Sequence, residues 1–128
     1  MVELKKPRYL GKTVKGAIAH LDPVPAPAGI DQVTMTTDEV VALGPVNLQP
    51  DFYTVRIEYQ PDAWLIESKS LKLWLRGFHD REVYAEQLAV DVRDEVVRTI
   101  KPVWCRVTTA QKPRGGIGID TVSSYRRG

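Results

Sequence analysis

Residues with chemistry to offer gather in three short stretches of this chain. In "IESKSLKLW", Ile66 to Trp74, Ser68, Lys69 and Lys72 fall at the start of a helical pattern. A helix N-terminus exposes free N–H groups and a partial positive charge, so two added ammonium groups would suit an anion such as phosphate. Two solvated lysines on a polar face account for the same residues. Ser68 is the expected N-cap. The second stretch, "KPRGG" from Lys112 to Gly116, is a basic, flexible turn in which Arg114 and Gly115 could approach a ligand; an ordinary hairpin connection needs the same residues. The third, "ALGPVNLQPDF" from Ala42 to Phe52, has two prolines and an acid, Asp51, as a reactive loop would. Yet it holds no Cys, Ser, Thr, His or Lys able to attack a substrate. Glu86, near the start of a second helical pattern, is a carboxylate placed to cap, to bind a ligand or simply to be solvated. His20 and His79 have no second His or Cys at metal-ligand spacing, so no metal site is expected. Cys105 alternates with valines and reads as a small buried hydrophobe rather than a nucleophile.

These groups need a frame, and the hydrophobic periodicity supplies one. "FYTVRIEY" places Tyr53, Val55, Ile57 and Tyr59 on one face of a strand and Thr54, Arg56 and Glu58 on the other. "DQVTMTTDEVVAL" predicts a strand with a break, and "WLIE" a short apolar strand. Leu71, Trp74, Leu75 and Phe78 recur at helical steps, with Gly77 as the stop. Leu88, Val92 and Val96 mark a second helix from about Tyr84 to Ile100, ended by Pro102. "VWCRVTT" and "IGIDTVSSY" close the chain as two strands. The order strand, strand, helix, helix, strand, strand predicts an α+β domain, an antiparallel sheet with both helices on one face. Such a sheet leaves open edges through which copies could associate.

The chain has 128 residues, enough for one domain with a real core. Residues 1–30 read as an arm, with Lys5, Lys6, Arg8, Lys12 and Lys15 followed by "LDPVPAPAG", where prolines at alternate positions forbid helix. Residues 31–128 read as the domain. A formal net charge of +2 is too small to argue for a nucleic-acid or membrane partner. A single cysteine excludes an intrachain disulfide framework and fits a reducing compartment. No apolar run approaches the roughly 20 residues of a membrane span, and the basic start lacks an apolar signal core. Cytoplasm is the expected location.

The motifs together resemble one family. "LIESKSLKLWL" looks like the signature of the QueF nitrile reductases, which reduce 7-cyano-7-deazaguanine with NADPH, and "QPDF" and "PRGGIGID" match two further blocks in the right order. The resemblance runs from about Gly44 to Tyr125. It implies a tunnelling fold, ββααββ per subunit, with short members assembling as pentamers or decamers and ligand sites between subunits. Carried over by motif, Ile66, Glu67, Ser68 and Glu86 would bind the deazaguanine, Glu86 accepting hydrogen bonds from the ring N–H and exocyclic amine. Ser68, Lys69, Lys72, Arg114 and Gly115 would meet NADPH, and Asp51 would be the proton-donating acid.

Four positions depart from the family pattern. Gly44 stands where the family has the cysteine that forms a covalent thioimide with the nitrile, and Ala85 stands at its catalytic histidine. Asn47 and Leu48 replace residues that are commonly Thr-Gly. The expectation is a QueF-like protein that binds a deazaguanine or purine without reducing nitriles through a thioimide. The alternatives are an NADPH-dependent reductase with a non-standard site, and a non-catalytic assembly or RNA-contacting subunit using the basic arm with Arg126 and Arg127.

Overall fold

The computed structural model describes residues 17–128. Its frame is a four-stranded antiparallel sheet in the order β2-β3-β5-β6, built from β2 (Val33–Leu43), β3 (Pro50–Gln60), β5 (Trp104–Arg114) and β6 (Ile117–Arg126). Between β3 and β5 the chain forms α1 (Ser68–Arg76) and α2 (Ala85–Ile100), so the main sheet and helices follow the expected ββααββ order. Two short strands, β1 (Pro23–Pro25) and β4 (Trp64–Ile66), pair separately as a ribbon.

Alternation along β3 sets the core. Asp51, Tyr53, Val55, Ile57 and Tyr59 are buried, while Phe52 and Arg56 are exposed. Across the ladder Tyr53 faces Gln111, Val55 faces Thr109, Ile57 faces Val107 and Tyr59 faces Cys105. Opposed residues of an antiparallel pair share a face, so one period-2 pattern buries both strands. α2 covers β5 and β6 with Leu88, Val92, Val96 and Ile100, all buried. Full burial of each such side chain is worth about 1.5–3 kcal/mol. The predicted break in β2 is a register shift between Thr37 and Val40.

The helix ends correct one expectation. Glu67, not Ser68, is the N-cap of α1: its side chain accepts from the Lys69 and Ser70 backbone N–H groups. A carboxylate reaches both donors at once, which a serine hydroxyl cannot. Gly77 ends α1 with φ −63°, so conformational freedom is not what selects it; a Cβ there would come within 3.1 Å of the Trp74 carbonyl oxygen. α2 ends in left-handed Lys101, with Pro102 next.

The later part of the proline-rich stretch is built into the body. Leu21 and Asp22 are buried, and β1 pairs Pro23 with Ile66 and Pro25 with Trp64. Leu21 N–H donates to Glu95 Oε2 at 2.8 Å, Asp22 N–H to Ser70 Oγ at 2.9 Å, and Glu67 N–H to the Asp22 carbonyl at 2.9 Å. The basic residues Lys5, Lys6, Arg8, Lys12 and Lys15 lie outside the described residues. No helix among the described residues is long and apolar enough to cross a membrane.

Candidate functional site

The β2–β3 connection is a tight loop closed on itself. Gly44 N–H donates to the Gln49 carbonyl and Leu48 N–H to the Gly44 carbonyl, both at 2.9 Å. Asn47 Oδ1 accepts from the Gln49 N–H at 3.2 Å. Leu48 sits at φ 56°, a left-handed conformation that costs an L-residue about 1–2 kcal/mol. The resemblance puts glycine at that position in the family. The loop is also stitched to the α1–α2 connection: Leu43 N–H donates to the Arg81 carbonyl and Val83 N–H to the Leu43 carbonyl. That stitch carries the first turn of α2, and with it Ala85 and Glu86, beside Gly44.

The result is an open cavity of about 280 Å³ whose lining includes Gly44, Asn47, Asp51, Ala85, Glu86 and Arg114. A Cβ built on Gly44 would meet Asn47 Oδ1 and Asp51 Oδ2 at 3.1 Å and Arg114 Nη2 at 3.3 Å. The volume where a nucleophilic side chain would begin is thus ringed by polar atoms. Arg114 reaches back from the β5–β6 hairpin to this loop. Its Nε lies 3.3 Å from Asp51 Oδ1, Nη1 donates to Gln49 Oε1 at 3.2 Å, and Nη2 to Asn47 Oδ1 at 3.4 Å.

Asp51 is 5% exposed, and its Oδ1 has no hydrogen-bond partner despite the ion pair. Tyr53, two residues on along the same strand face, is fully buried with its hydroxyl likewise unpartnered. Burial first, then the negative charges of Asp51 and Glu86, push the Tyr53 phenol up to about 12, with Arg114 opposing. The phenol is therefore a neutral donor at ordinary pH. Sequence reasoning read Tyr53 as a core residue alone. The available signal was its i+2 spacing from Asp51, which puts both on the buried face.

The remaining candidates lie elsewhere. Glu67 is buried, and both carboxylate oxygens are committed to the helix cap, at 2.8 Å to Lys69 N and 2.6 Å to Ser70 N. Ile66 N–H is taken by the Tyr59 hydroxyl at 3.0 Å. Ser68 and Lys72 line a second cavity of about 400 Å³ between α1 and β2, with Arg76 and an apolar wall that includes Val40, Val55, Ile57 and Leu71. Two cations, Lys72 and Arg76, thus stand beside an apolar wall, with Glu39 in the same lining. Arg114 and the neighbouring Gly115, however, sit at the far hairpin, so one chain does not unite the five cofactor candidates. Cys105 faces Tyr59, far along β5 from Gln111 and the Gly44 cavity. Burial pushes its thiol up to about 11, as suits a core residue. Among the described residues no group of His, Cys, Asp or Glu is arranged to hold a metal ion.

Comparison with known proteins matches residues 50–128 to the family described as QueF, "QueF-like protein". A protein of Rhodopseudomonas palustris (strain BisB5), named NADPH-dependent 7-cyano-7-deazaguanine reductase, is 46% identical over 104 residues, covering 80% of this chain and 66% of its own. This chain thus spans just under two thirds of that relative's length. A protein of Bradyrhizobium diazoefficiens with the same name is 41% identical over 122 residues, covering 91% of this chain and 80% of its own. Among solved structures, the apo form of the archaeosine synthase QueF-Like superposes with a TM-score of 0.71 at 23% identity, over 75% of this chain and 94% of that one. That likeness establishes the fold, and the sequence matches establish the kinship: the chain belongs to the QueF family.

Proposed function

We propose that this protein binds a 7-deazaguanine or related purine in the Gly44–Asp51–Glu86 cavity and does not reduce nitriles through a covalent thioimide. The observation that carries the reading is Gly44 itself. Its side-chain direction opens onto Asp51, Asn47 and Arg114, and the chain's one cysteine is buried at another part of the sheet. Without a thiol there is no sulfur to add to the nitrile carbon, and without histidine at Ala85 a second proton-transfer group is missing. Each general acid or base is worth roughly 10²–10⁴-fold in rate. Binding survives that loss, because it draws on different groups. Exposed Glu86 offers two acceptor oxygens to the adjacent N–H and amine donors of a guanine-like edge, and Asp51 Oδ1 still awaits a donor. The exposed Val46, Tyr84 and Ile117 rim the cavity, a surface on which a second copy would complete the pocket if the protein assembles as its family does.

Titration calorimetry with 7-cyano-7-deazaguanine and with 7-deazaguanine tests the reading. Micromolar binding to wild type, weakened at least tenfold by Glu86→Ala, is the expected result; no heat from either compound at high micromolar concentration rejects it.

The second reading, an NADPH-dependent reductase with a non-standard site, is favoured by the α1 groove, where Ser68, Lys72 and Arg76 line a cavity large enough for part of a dinucleotide. When bound, NADPH would supply hydride. Ser68 and Lys72 would orient its phosphates there, with Lys69 on the same turn and Arg114 and Gly115 brought by a neighbouring copy. NADPH consumption in the presence of the nitrile, above the protein-free rate, would establish it.

A further inference from the structure

We infer that the substituent this pocket accepts opposite Gly44 is a protonated primary amine on a short carbon arm, and that a nitrile is disfavoured there. The inference rests on the ligand reading above, in which the substituted carbon of the deazaguanine faces Gly44. What meets that direction is chiefly oxygen. A Cβ on Gly44 would lie 3.1 Å from Asn47 Oδ1 and 3.1 Å from Asp51 Oδ2, with Arg114 Nη2 at 3.3 Å the one donor among the three. Asn47 Oδ1 already accepts from the Gln49 N–H and from Arg114 Nη2, so Asp51 is the acceptor with capacity to spare. Its Oδ1 lies 3.3 Å from Arg114 Nε without forming a hydrogen bond, and the side chain is only 5% exposed. A buried carboxylate so incompletely bonded calls for a donor. A nitrile nitrogen can only accept and would set its negative end against these oxygens. A primary ammonium carries three N–H donors and no acceptor, and a primary alkylamine is protonated at neutral pH as lysine is.

The charge of the lining points the same way. Asp51 and Glu86 are carboxylates, and Arg114 is the one cation among the residues that line the cavity. One negative charge is left over, and a monocation neutralises it. The Tyr53 phenol feels the same balance: beyond burial, which acts most, Asp51 and then Glu86 raise it to about 12, and Arg114 opposes them less. The positive end of α2 also opens on the cavity, but Glu86 sits in its first turn and offsets it. Arg114 is drawn against the β2–β3 loop by Gln49 Oε1 and Asn47 Oδ1, while Asp51 Oδ2 keeps facing Gly44. With no side chain at Gly44, the space in front of that oxygen is open to the arm of the ligand. Glu86 then takes the guanine-like edge and Asp51 the ammonium, so each carboxylate has its own end of one molecule.

Four compounds decide the matter: 7-deazaguanine unsubstituted, and with a 7-cyano, 7-hydroxymethyl or 7-aminomethyl group, each titrated calorimetrically into wild type and Asp51→Asn. A charge-assisted hydrogen bond to Asp51 should tighten binding of the aminomethyl compound roughly 10- to 100-fold over the unsubstituted and cyano compounds. The hydroxymethyl compound, a neutral donor of nearly the same shape, should fall between. In Asp51→Asn the advantage of the amine should disappear, with thermal melting confirming that the variant is folded. Binding of any of the other three as tight as that of the amine, or an advantage that survives Asp51→Asn, overturns the inference while leaving deazaguanine binding intact. Should none of the four bind, the ligand reading falls together with it. If Asp51→Asn does not fold, the ordering of the four compounds on wild type decides alone.

Discussion

Two buried carboxylates, Glu67 and Asp51, sit at strand ends in the same core, and their surroundings could hardly differ more. Glu67 is 7% exposed and fully satisfied, each oxygen accepting a backbone N–H of α1. Around it Ser70 Oγ donates to the Glu67 carbonyl and accepts from Asp22 N–H, locking the β1–β4 ribbon to the helix start. Asp51, 5% exposed, keeps an oxygen without a hydrogen bond, beside an unpartnered tyrosine hydroxyl, a glycine and a left-handed leucine. Burial alone does not separate the two; satisfaction does. A buried carboxylate whose bonds are all made inside the chain holds the fold together. One left incomplete in a cavity wall is available to a ligand.

Substitutions should divide along the same line. Glu67→Ala should have the largest effect, a loss of about 2 kcal/mol of stability, because it removes the cap and leaves one buried and one half-buried N–H group without that acceptor. Urea unfolding with an unchanged slope checks this, and Asp51→Asn in the same assay should move stability by no more than about 1 kcal/mol. If Asp51→Asn proved as costly as Glu67→Ala, the contrast between structural and available carboxylates would fail.

Acidification should strike the satisfied side first. Glu95 holds Leu21 N–H, Arg98 and His20; burial works against its charge, but these partners outweigh it and hold the carboxyl below its ordinary 4.5. A carboxyl lowered in the folded state stabilises fully above its unfolded value, and that contribution disappears as pH falls through the folded one. Stability should therefore drop as pH is lowered below about 4.5, with a shallower drop in Glu95→Gln, read by denaturant midpoints across pH.

On the open side the effects should be smaller and of opposite sign. Leu48→Gly should raise stability by up to about 1 kcal/mol by relieving the left-handed strain, even though glycine costs more entropy on folding. Gly44→Cys should be tolerated within about 1 kcal/mol, since the atoms it meets are the ends of flexible side chains. It should form a covalent adduct with 7-cyano-7-deazaguanine, visible by intact-protein mass. Smallest of all, Tyr53→Phe should change stability by no more than about 0.5 kcal/mol or raise it, because the hydroxyl it removes has no partner to lose. A large loss would mean the hydroxyl is bonded after all, and the open side would be less open than described.

Much of this was legible from residue order. The period-2 pattern of "FYTVRIEY" placed Tyr53, Val55, Ile57 and Tyr59 together in the core, because alternation is local geometry. The helical stripe of Leu71, Trp74 and Leu75 was equally readable, and all three are buried. The N-cap was misplaced by one residue because cap preference favours serine, while only the geometry reveals that Glu67 can satisfy two N–H groups at once. Of the β1–β4 ribbon, β4 was readable as the short apolar strand "WLIE", but β1 was missed: three residues of proline-rich chain carry no strand signal, and β4 supplies the pairing.

By itself the sequence determined the α+β order of elements, the kinship carried by "LIESKSLKLWL", and the absence of sulfur or imidazole at Gly44 and Ala85. Those follow from which atoms exist and from periodicities set by backbone geometry. Tertiary structure alone decided which polar groups are used up and which are left over. It committed Glu67 to a helix, sent Arg114 across from another hairpin to Asp51, and left Asp51 incomplete in the cavity wall and Tyr53 incomplete two residues along the same strand face. Hydrogen-bond satisfaction depends on neighbours far away in the chain, and residue order does not reveal which neighbours those are.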